Sequence, residues 1–503
     1  MDDGFGSGHI PTMDQISLVR FNAIAGYARN PAVQLLGDEL CHFELDAGRI
    51  VGMMLRDRTD GDFTGIVFAP DRKLRFRYVT QTIFNEDPQA AFAAFAQAMQ
   101  EAADAPPEEH YQDEDEDDGE PVDFFTPVYE ADRLHPDFVQ LISEEANSPA
   151  RGIIEKMMRW YEDVDGNFIE QFQTTGFDQR IWELYLFATL VELGYVFDRE
   201  QPMPDFVCKG LVGGFSLEAV TVAPTRKGAV IVPPPPRDTP KEELAFVAQY
   251  MPIKFGSALY SKLCKRYWEK PQVAGRPFVL AVADFSSPDA MYNSAPSLER
   301  YLFGYWHEGV VDENGTLTIV PHKIEQHAFG GKTIPSGFFR IADAANVSAV
   351  VSSPAGDLSK FNRMGVLAGF GSGHVALIRE GNLPDPDPNA TAPLRFQALV
   401  NAPDYVESWV ESMNVYHNPG AVHRLDPALM PGAAHHDCWQ DGQVTSLLPE
   451  MHPFGTSTAA ETQVDVASIV EEWGDGAVKI WSDDKWLRWS EFLKSRETIG
   501  QGT

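Results

Sequence analysis

Between Asp178 and Gly194 the sequence reads DQRIWELYLFATLVELG, a helix-forming run that is apolar on nearly every side. A surface helix keeps one polar face, but here Ile181, Trp182, Leu184, Tyr185, Phe187 and Leu190 are spread around the circumference, so the helix has to be enclosed. Other elements must cover it on all sides, which requires a sizeable core. Thr175, with Asp178 three residues later, is placed to open this helix as a capping box. Glu183 is out of character in such a run. A carboxylate in apolar surroundings is costly unless it is paired or faces a cation or an open cleft. Arg180, one turn earlier, is its ordinary partner.

The segments that follow supply the cover. YVFDRE, PDFVC and FSLEAVTV read as short strands, the last two joined by the glycine-bearing KGLVGG. A proline-rich stretch, VPPPPRDTP, leads to a helix over about 253–269. FVLAVADF is then a continuous apolar run of the kind found in a strand covered on both faces. The predicted order is helix, three strands, helix, strand, an αβββαβ core of the α/β class.

The chain has 503 residues. That is more than one hydrophobic core usually serves, because cores stop growing at about 250–300 residues. Residues 1–105 read as a small α+β domain, with alternating runs over 40–80 and an alanine-rich helix at 88–103. Residues 106–125 form an acidic linker that includes the unbroken run Asp113 to Asp118. It is either a solvated linker or a nucleic-acid mimic that shields a basic groove. Residues 126–285 hold a helical lead-in and the core, 286–465 a mostly β domain, and 466–503 a tail with a short strand and helix. No apolar run is long enough to span a bilayer, and the start is acidic where a secretory signal would be basic. A cytoplasmic protein is expected, with no membrane partner. Its four cysteines are scattered without a CxxC pair, so they are read as reduced and mostly buried.

Asp205 follows Pro204 at the start of a strand, and Glu218 lies thirteen residues later on the next. A hairpin can bring both onto one face. Magnesium takes one or two carboxylates and fills its other positions with water and phosphate oxygens, so such a pair suits it.

With Glu183 on a helix, Pro204-Asp205 and Glu218 on successive strands, and a helix and buried strand after them, the chain resembles the PD-(D/E)XK nucleases. The resemblance implies a restriction-endonuclease-like fold over residues 178–285. It also implies that Asp205 and Glu218 are metal ligands for Mg2+ or Mn2+, that Glu183 assists, and that the chemistry is phosphodiester hydrolysis. The lysine that the pattern places two residues after the second acid is Val220 here. Two lysines could replace it: Lys209, four residues after Asp205 on the same strand, and Lys262 on the following helix, which is favoured. Wider stretches, among them KFGSALYSKLCKRYW and KFNRMGVLAGFG, resemble a bacterial family, a likeness that adds no activity.

A net charge of −34 argues against attraction of the whole protein to phosphate backbones, so any nucleic-acid site must be local. From Lys254 to Arg276 there are six basic residues against the single acid Glu269. On a helix, Lys254, Ser257, Ser261 and Lys265 make a polar stripe opposite Leu259, Leu263 and Tyr267. Lys254, Ser261, Lys265 and Arg266 are therefore candidate phosphate contacts, with a solvated face as the plain alternative. The expected activity is a DNA endonuclease in DNA processing or host defence. Two other readings stay open: an inactive nuclease-like scaffold that binds nucleic acid or protein, and a zinc hydrolase built on His417, His423, His435, His436 and His452 with Cys438. The histidines lack HExxH or finger spacing. Gly331-Lys332-Thr333 lacks the upstream glycine of a phosphate-binding loop, and Gly369 to Gly373 reads as a turn.

Overall fold

The computed structural model describes residues 13–30, 32–111, 121–161, 167–198, 203–228, 230–287, 290–482 and 485–488. In chain order the central elements are α1 (Phe177–Glu192), β1 (Val196–Phe197), β2 (Phe206–Lys209), β3 (Gly214–Val222), α2 (Met251–Leu263), β4 (Phe278–Asp284), β5 (Ala349–Ser352), β6 (Asn414–His417), β7 (Ala434–Cys438) and β8 (Val444–Leu447). These eight strands lie side by side in that order in one sheet. β1, β2 and β3 form an antiparallel meander, and β3, β4 and β5 run parallel. β6 is antiparallel to β5 and parallel to β7, and β8 is antiparallel to β7. The protein is of the mixed α/β class.

Side-chain alternation explains the buried runs. Phe215, Leu217 and Ala219 of β3, with Val279, Ala281 and Ala283 of β4, join a core with Trp182 and Leu186 of α1. Val220 and Val222, with Phe278, Leu280 and Val282, face the other way, onto Phe255 and Leu259 of α2. All of β4 is buried because helices cover both faces. Its two edges also need partners. β3 takes one and β5 takes the other, so the expected break at residue 285 runs through a single sheet. The region read as a separate β domain completes that sheet with β5–β8.

The chain makes two excursions from the sheet. Helix Ala290–Phe303 and two hairpins lie between β4 and β5. Helix Leu358–Leu367 and two strands of a second, five-stranded sheet lie between β5 and β6, and the C-terminal strands complete that sheet. At the N-terminus a further five-stranded antiparallel sheet carries helix Pro88–Asp104. Gly52 and Gly65 let Phe95 of that helix lie against the strands, since a Cβ at either would fall 2.6 or 2.3 Å from its ring.

Several local expectations are corrected. α1 is preceded by Gly176 and has no side-chain cap, because Asp178 turns toward His135 instead of closing a box with Thr175. α2 ends at Leu263, well short of 269. The chain turns through Arg266 in the left-handed region (φ 51°), and Tyr267 returns to the sheet. The four cysteines form no disulfide, but only Cys208 is buried and Cys264 is exposed. The acidic run Asp113 to Asp118 lies outside the described residues. No helix among the described residues is long and apolar enough to cross a membrane.

Candidate active site

The β2–β3 hairpin fixes the central pair. Phe206 lies opposite Leu217 and Val207 opposite Ser216, and Asp205, the residue just before β2, would fall opposite Glu218 if that register ran one step further. Directly opposed residues share a face of the sheet, with Cβ atoms about 4.5–5.5 Å apart. Gly214 allows the tight return, since a Cβ there would sit 2.5 Å from the Cys208 carbonyl oxygen. Two hydrogen bonds hold the acids in register. The Ala219 N–H donates to Asp205 Oδ2 at 2.7 Å, and the Asp205 N–H donates to Glu218 Oε2 at 3.4 Å.

Glu218 is only 3% exposed, so its charge needs partners. Lys262 Nζ donates to Oε1 at 2.6 Å, and the Tyr267 hydroxyl donates to the same oxygen at 2.9 Å. Lys262 comes from the last turn of α2, and Tyr267 from the short turn after the helix ends. Burial and the Glu218 charge push the Tyr267 hydroxyl pKa well up, which keeps it a donor.

Glu183 approaches from α1. Its Oε2 accepts from the Tyr161 hydroxyl at 3.0 Å and from Arg180 at 2.5 Å, and its Oε1 accepts from Gln179 at 2.7 Å. Gln179 in turn accepts from the Thr221 hydroxyl at 2.8 Å, tying α1 to β3. The ordinary partner, Arg180, is therefore present together with two neutral donors.

Burial and the negative charges of Glu218 and Glu183 converge on Asp205. The protein packed around its carboxyl, then the charges of Glu218 and Glu183, push its pKa well above the usual carboxylate range. The Ala219 N–H and Lys262 pull the other way. Asp205 is itself exposed, and that solvent access weakens the push. Its Oδ1 accepts no hydrogen bond from the described residues, and Glu218 Oε2 has only the 3.4 Å contact. Two neighbouring carboxylates with a spare oxygen each, and a single ammonium between them, fit Mg2+ or Mn2+ in donor type and number.

A second group of metal-ligand type lies at the N-terminal end of α1. His135, Asp137 and Asp178 have ligand atoms within 4.8 Å of one another. Burial and the Asp137 charge push Asp178 up to about 7, and burial lowers the pKa of His135.

Lys209 does not reach the acids. Its ammonium pairs with Asp198 at 2.7 Å, and its side chain is 57% exposed. Four residues of strand, about 13 Å, separate it from Asp205. Nor do the proposed phosphate contacts form one stripe. Lys254 is turned onto the Ala223 carbonyl at 2.7 Å, and Ser261 is exposed on α2. Lys265 and Arg266 lie beyond the helix end, where Arg266 pairs with Glu269 at 2.7 Å and Asp343 at 2.8 Å.

The C-terminal histidines do not assemble the ligand set that a zinc site needs. His435 and His436 are neighbours on β7 and point to opposite faces. His435 meets His417 at 3.0 Å, whereas His436 and His452 both bond Asn414 Oδ1, at 3.0 and 3.1 Å. Burial pushes His436 down to about 3 and His452 to about 4. Among the described residues these histidines and Cys438 make no three-ligand group.

Sequence reasoning missed Tyr161, Tyr267 and Gln179 as partners of the acids. Helical spacing sets Tyr267 only on an apolar face with Leu259 and Leu263. A buried tyrosine hydroxyl needs a polar partner, and that requirement was the available signal. Compared with known proteins, the chain matches no family model, no curated protein and no solved structure.

Proposed function

We propose that the protein is a Mg2+- or Mn2+-dependent nuclease of the PD-(D/E)XK type, with DNA as its substrate and residues 178–285 as a restriction-endonuclease-like core. One observation carries the reading: Asp205, just before β2, and Glu218 of β3 are held together by the Ala219 N–H on Asp205 Oδ2 and the Asp205 N–H on Glu218 Oε2, with Lys262 on Glu218 and the Glu183 charge acting on Asp205. The element order α1, β1–β3, α2, β4 with its parallel β3–β4 pair supports it further.

Asp205 Oδ1 and Glu218 Oε2 would hold the cation. When bound, it would supply a water of lowered pKa and neutralise charge on the phosphate. Lys262, hydrogen-bonded to Glu218 Oε1, would replace the lysine missing at Val220 and orient the attacking water. Glu183 stays anchored by Arg180, Gln179 and Tyr161 and adds negative potential at the metal side.

The test is incubation of purified protein with plasmid and single-stranded DNA, with Mg2+, Mn2+ or chelator. Metal-dependent cleavage that Asp205→Asn abolishes and Asp178→Asn leaves intact is expected. The reverse pattern would move the metal to the His135 group. A second reading, an inactive scaffold that binds nucleic acid or protein, is favoured by the protein donors that already occupy both oxygens of Glu183 and Oε1 of Glu218. Binding without cleavage under every metal condition would decide for it.

A further inference from the structure

A cavity of about 530 Å3 opens beside α2, lined among others by Thr225, Tyr250, Lys254, Ser257, Phe329 and Lys332. Gly331-Lys332-Thr333, which fails as a phosphate-binding loop, is in fact the return of a β-hairpin. Gly330 and Gly331 turn it at positive φ, and Lys332 is thereby brought to α2. Lys332 Nζ donates to Ser257 Oγ at 2.6 Å. Lys254 Nζ donates to the Ala223 carbonyl at 2.7 Å and to Thr225 Oγ1 at 3.0 Å.

Among the described residues neither lysine forms an ion pair. That is unexpected in a chain with 74 acidic residues against 40 basic ones, where a lysine easily finds a carboxylate. Asp284 acts on Lys254 electrostatically without a direct contact, its carboxylate accepting from the Ser286 N–H and the Ser294 hydroxyl. Burial lowers the Lys254 pKa, and the charge of Lys332 adds to it, while the Asp284 charge offsets the shift only in part. An ammonium carries three N–H donors, so Lys254 keeps one and Lys332 keeps two. Tyr250 and Phe329, in edge-to-face contact with ring centroids 5.3 Å apart, add flat apolar surface to the same cavity.

Lys254, Ala258 and Lys262 follow at four-residue spacing, so one side of α2 runs from this cavity to Glu218. The helix rises about 12 Å from the first lysine to the second. We propose that the cavity is a phosphate subsite: Lys254 and Lys332 hold a phosphate of a nucleotide, and Tyr250 and Phe329 take its base. This deepens the nuclease reading and rests on it for the source of the phosphate, a strand that also crosses the Asp205–Glu218 pair. A free mononucleotide presents the same chemistry.

Binding is measured in chelator, where no metal-dependent cleavage occurs, for a fluorescein-labelled single-stranded oligonucleotide, for adenosine monophosphate and for inorganic phosphate. The proteins are wild type, Lys254→Met/Lys332→Met and Lys332→Glu, an exposed site that keeps the fold in play, each checked by thermal melting. The double variant should lose at least about tenfold in oligonucleotide affinity, and its salt dependence should flatten by about one unit of log–log slope. Loss confined to adenosine monophosphate and phosphate would assign the subsite to a free nucleotide. Unchanged binding of all three probes to both folded variants overturns the proposal. A protein that cuts nothing yet loses phosphate binding in the variants would sink the nuclease reading alone; a protein that cuts while the variants bind normally would sink only the subsite.

Discussion

Lys262 crosses from the last turn of α2 to place its ammonium 2.6 Å from Glu218 Oε1, on a strand 44 residues earlier in the chain. The position two residues after Glu218, where the nuclease pattern would have a lysine, is Val220, packed in the core under α2. A charge absent from the strand is thus delivered from the helix above it. Lys262→Met keeps the stem and removes the charge. It leaves Glu218 buried with Tyr267 as its remaining side-chain donor, so stability should fall by about 1–3 kcal/mol in chelator, less than for a fully enclosed pair because Lys262 is partly exposed. Urea titration should also show Mg2+ recovering more stability in this variant than in wild type. If a lysine orients the water, turnover should fall about 10²–10⁴-fold with KM little changed. Full turnover in Lys262→Met would remove it from the chemistry.

Lys209 makes the opposite case. Its ion pair with Asp198 is mostly exposed, and such pairs contribute about 0–1 kcal/mol. Lys209→Met should leave cleavage within about twofold of wild type and hardly shift the melting temperature. A large loss of kcat would mean that the β1–β2 edge approaches the substrate.

How much of this was legible follows from the range of each signal. β3 and β4 could be read directly because an unbroken apolar run records cover on both faces. The Asp205–Glu218 pair could be read because a hairpin ties sequence spacing to cross-strand position. The end of α2 could not, because Leu259, Leu263 and Tyr267 keep helical spacing although only the first two are on the helix; Tyr267 is buried either way. β5–β8 look like a separate domain in sequence because a strand's pattern shows that it is covered but not which edge it joins. Adjacent histidines on β7 suggested a ligand pair only until strand alternation sent them to opposite faces. The His135, Asp137 and Asp178 group joins two helix starts that lie far apart in the chain, and no local spacing announces it.

Asp178 gives a pH prediction. Its pKa in the folded protein is pushed up to about 7 by burial and the Asp137 charge, against about 3.9 when unfolded. Between those values the folded state holds a proton that the unfolded state has released. Stability from this residue therefore falls as pH rises from about 4 to 7, and the loss is complete above 7. His135, 3.9 Å from Asp178, has a lowered pKa and acts in the opposite sense, and Arg226 adds positive charge beside it. The comparison that isolates Asp178 is wild type against Asp178→Asn, by urea denaturation from pH 4.5 to 8. The variant should gain on wild type steadily up to pH 7 and no further. A constant difference across that range would mean that Asp178 titrates normally.

The last prediction concerns Glu407, which ties helix Leu358–Leu367 to the C-terminal sheet. Lys360 and Arg363 of that helix reach it at 2.6 and 2.9 Å, and Arg379 of strand Val375–Leu383 lies at 3.5 Å. All four side chains are enclosed, and the Tyr405 hydroxyl donates to the same carboxylate at 2.6 Å. Burial alone would raise the Glu407 pKa, but the charges of Arg363, Arg379 and Lys360 outweigh it and hold the group well below the usual carboxylate range. Glu407→Gln keeps the shape and removes the charge that three buried cations face. Glu411 pairs with Arg379 at 2.6 Å and acts on Lys360 through its charge without a direct contact. Breaking a buried network by deleting one partner costs about 3–5 kcal/mol, so Glu407→Gln should be among the most destabilising neutral-sized changes in the chain. The sign with pH is fixed: a depressed carboxylate stabilises above its unfolded pKa, and that stability is lost as pH falls through the folded value. Wild type should therefore lose its advantage over Glu407→Gln only in strongly acid solution. Measured by urea denaturation at pH 7, a difference below about 1 kcal/mol, the size of an ordinary surface pair, would show that the cations are accommodated without Glu407.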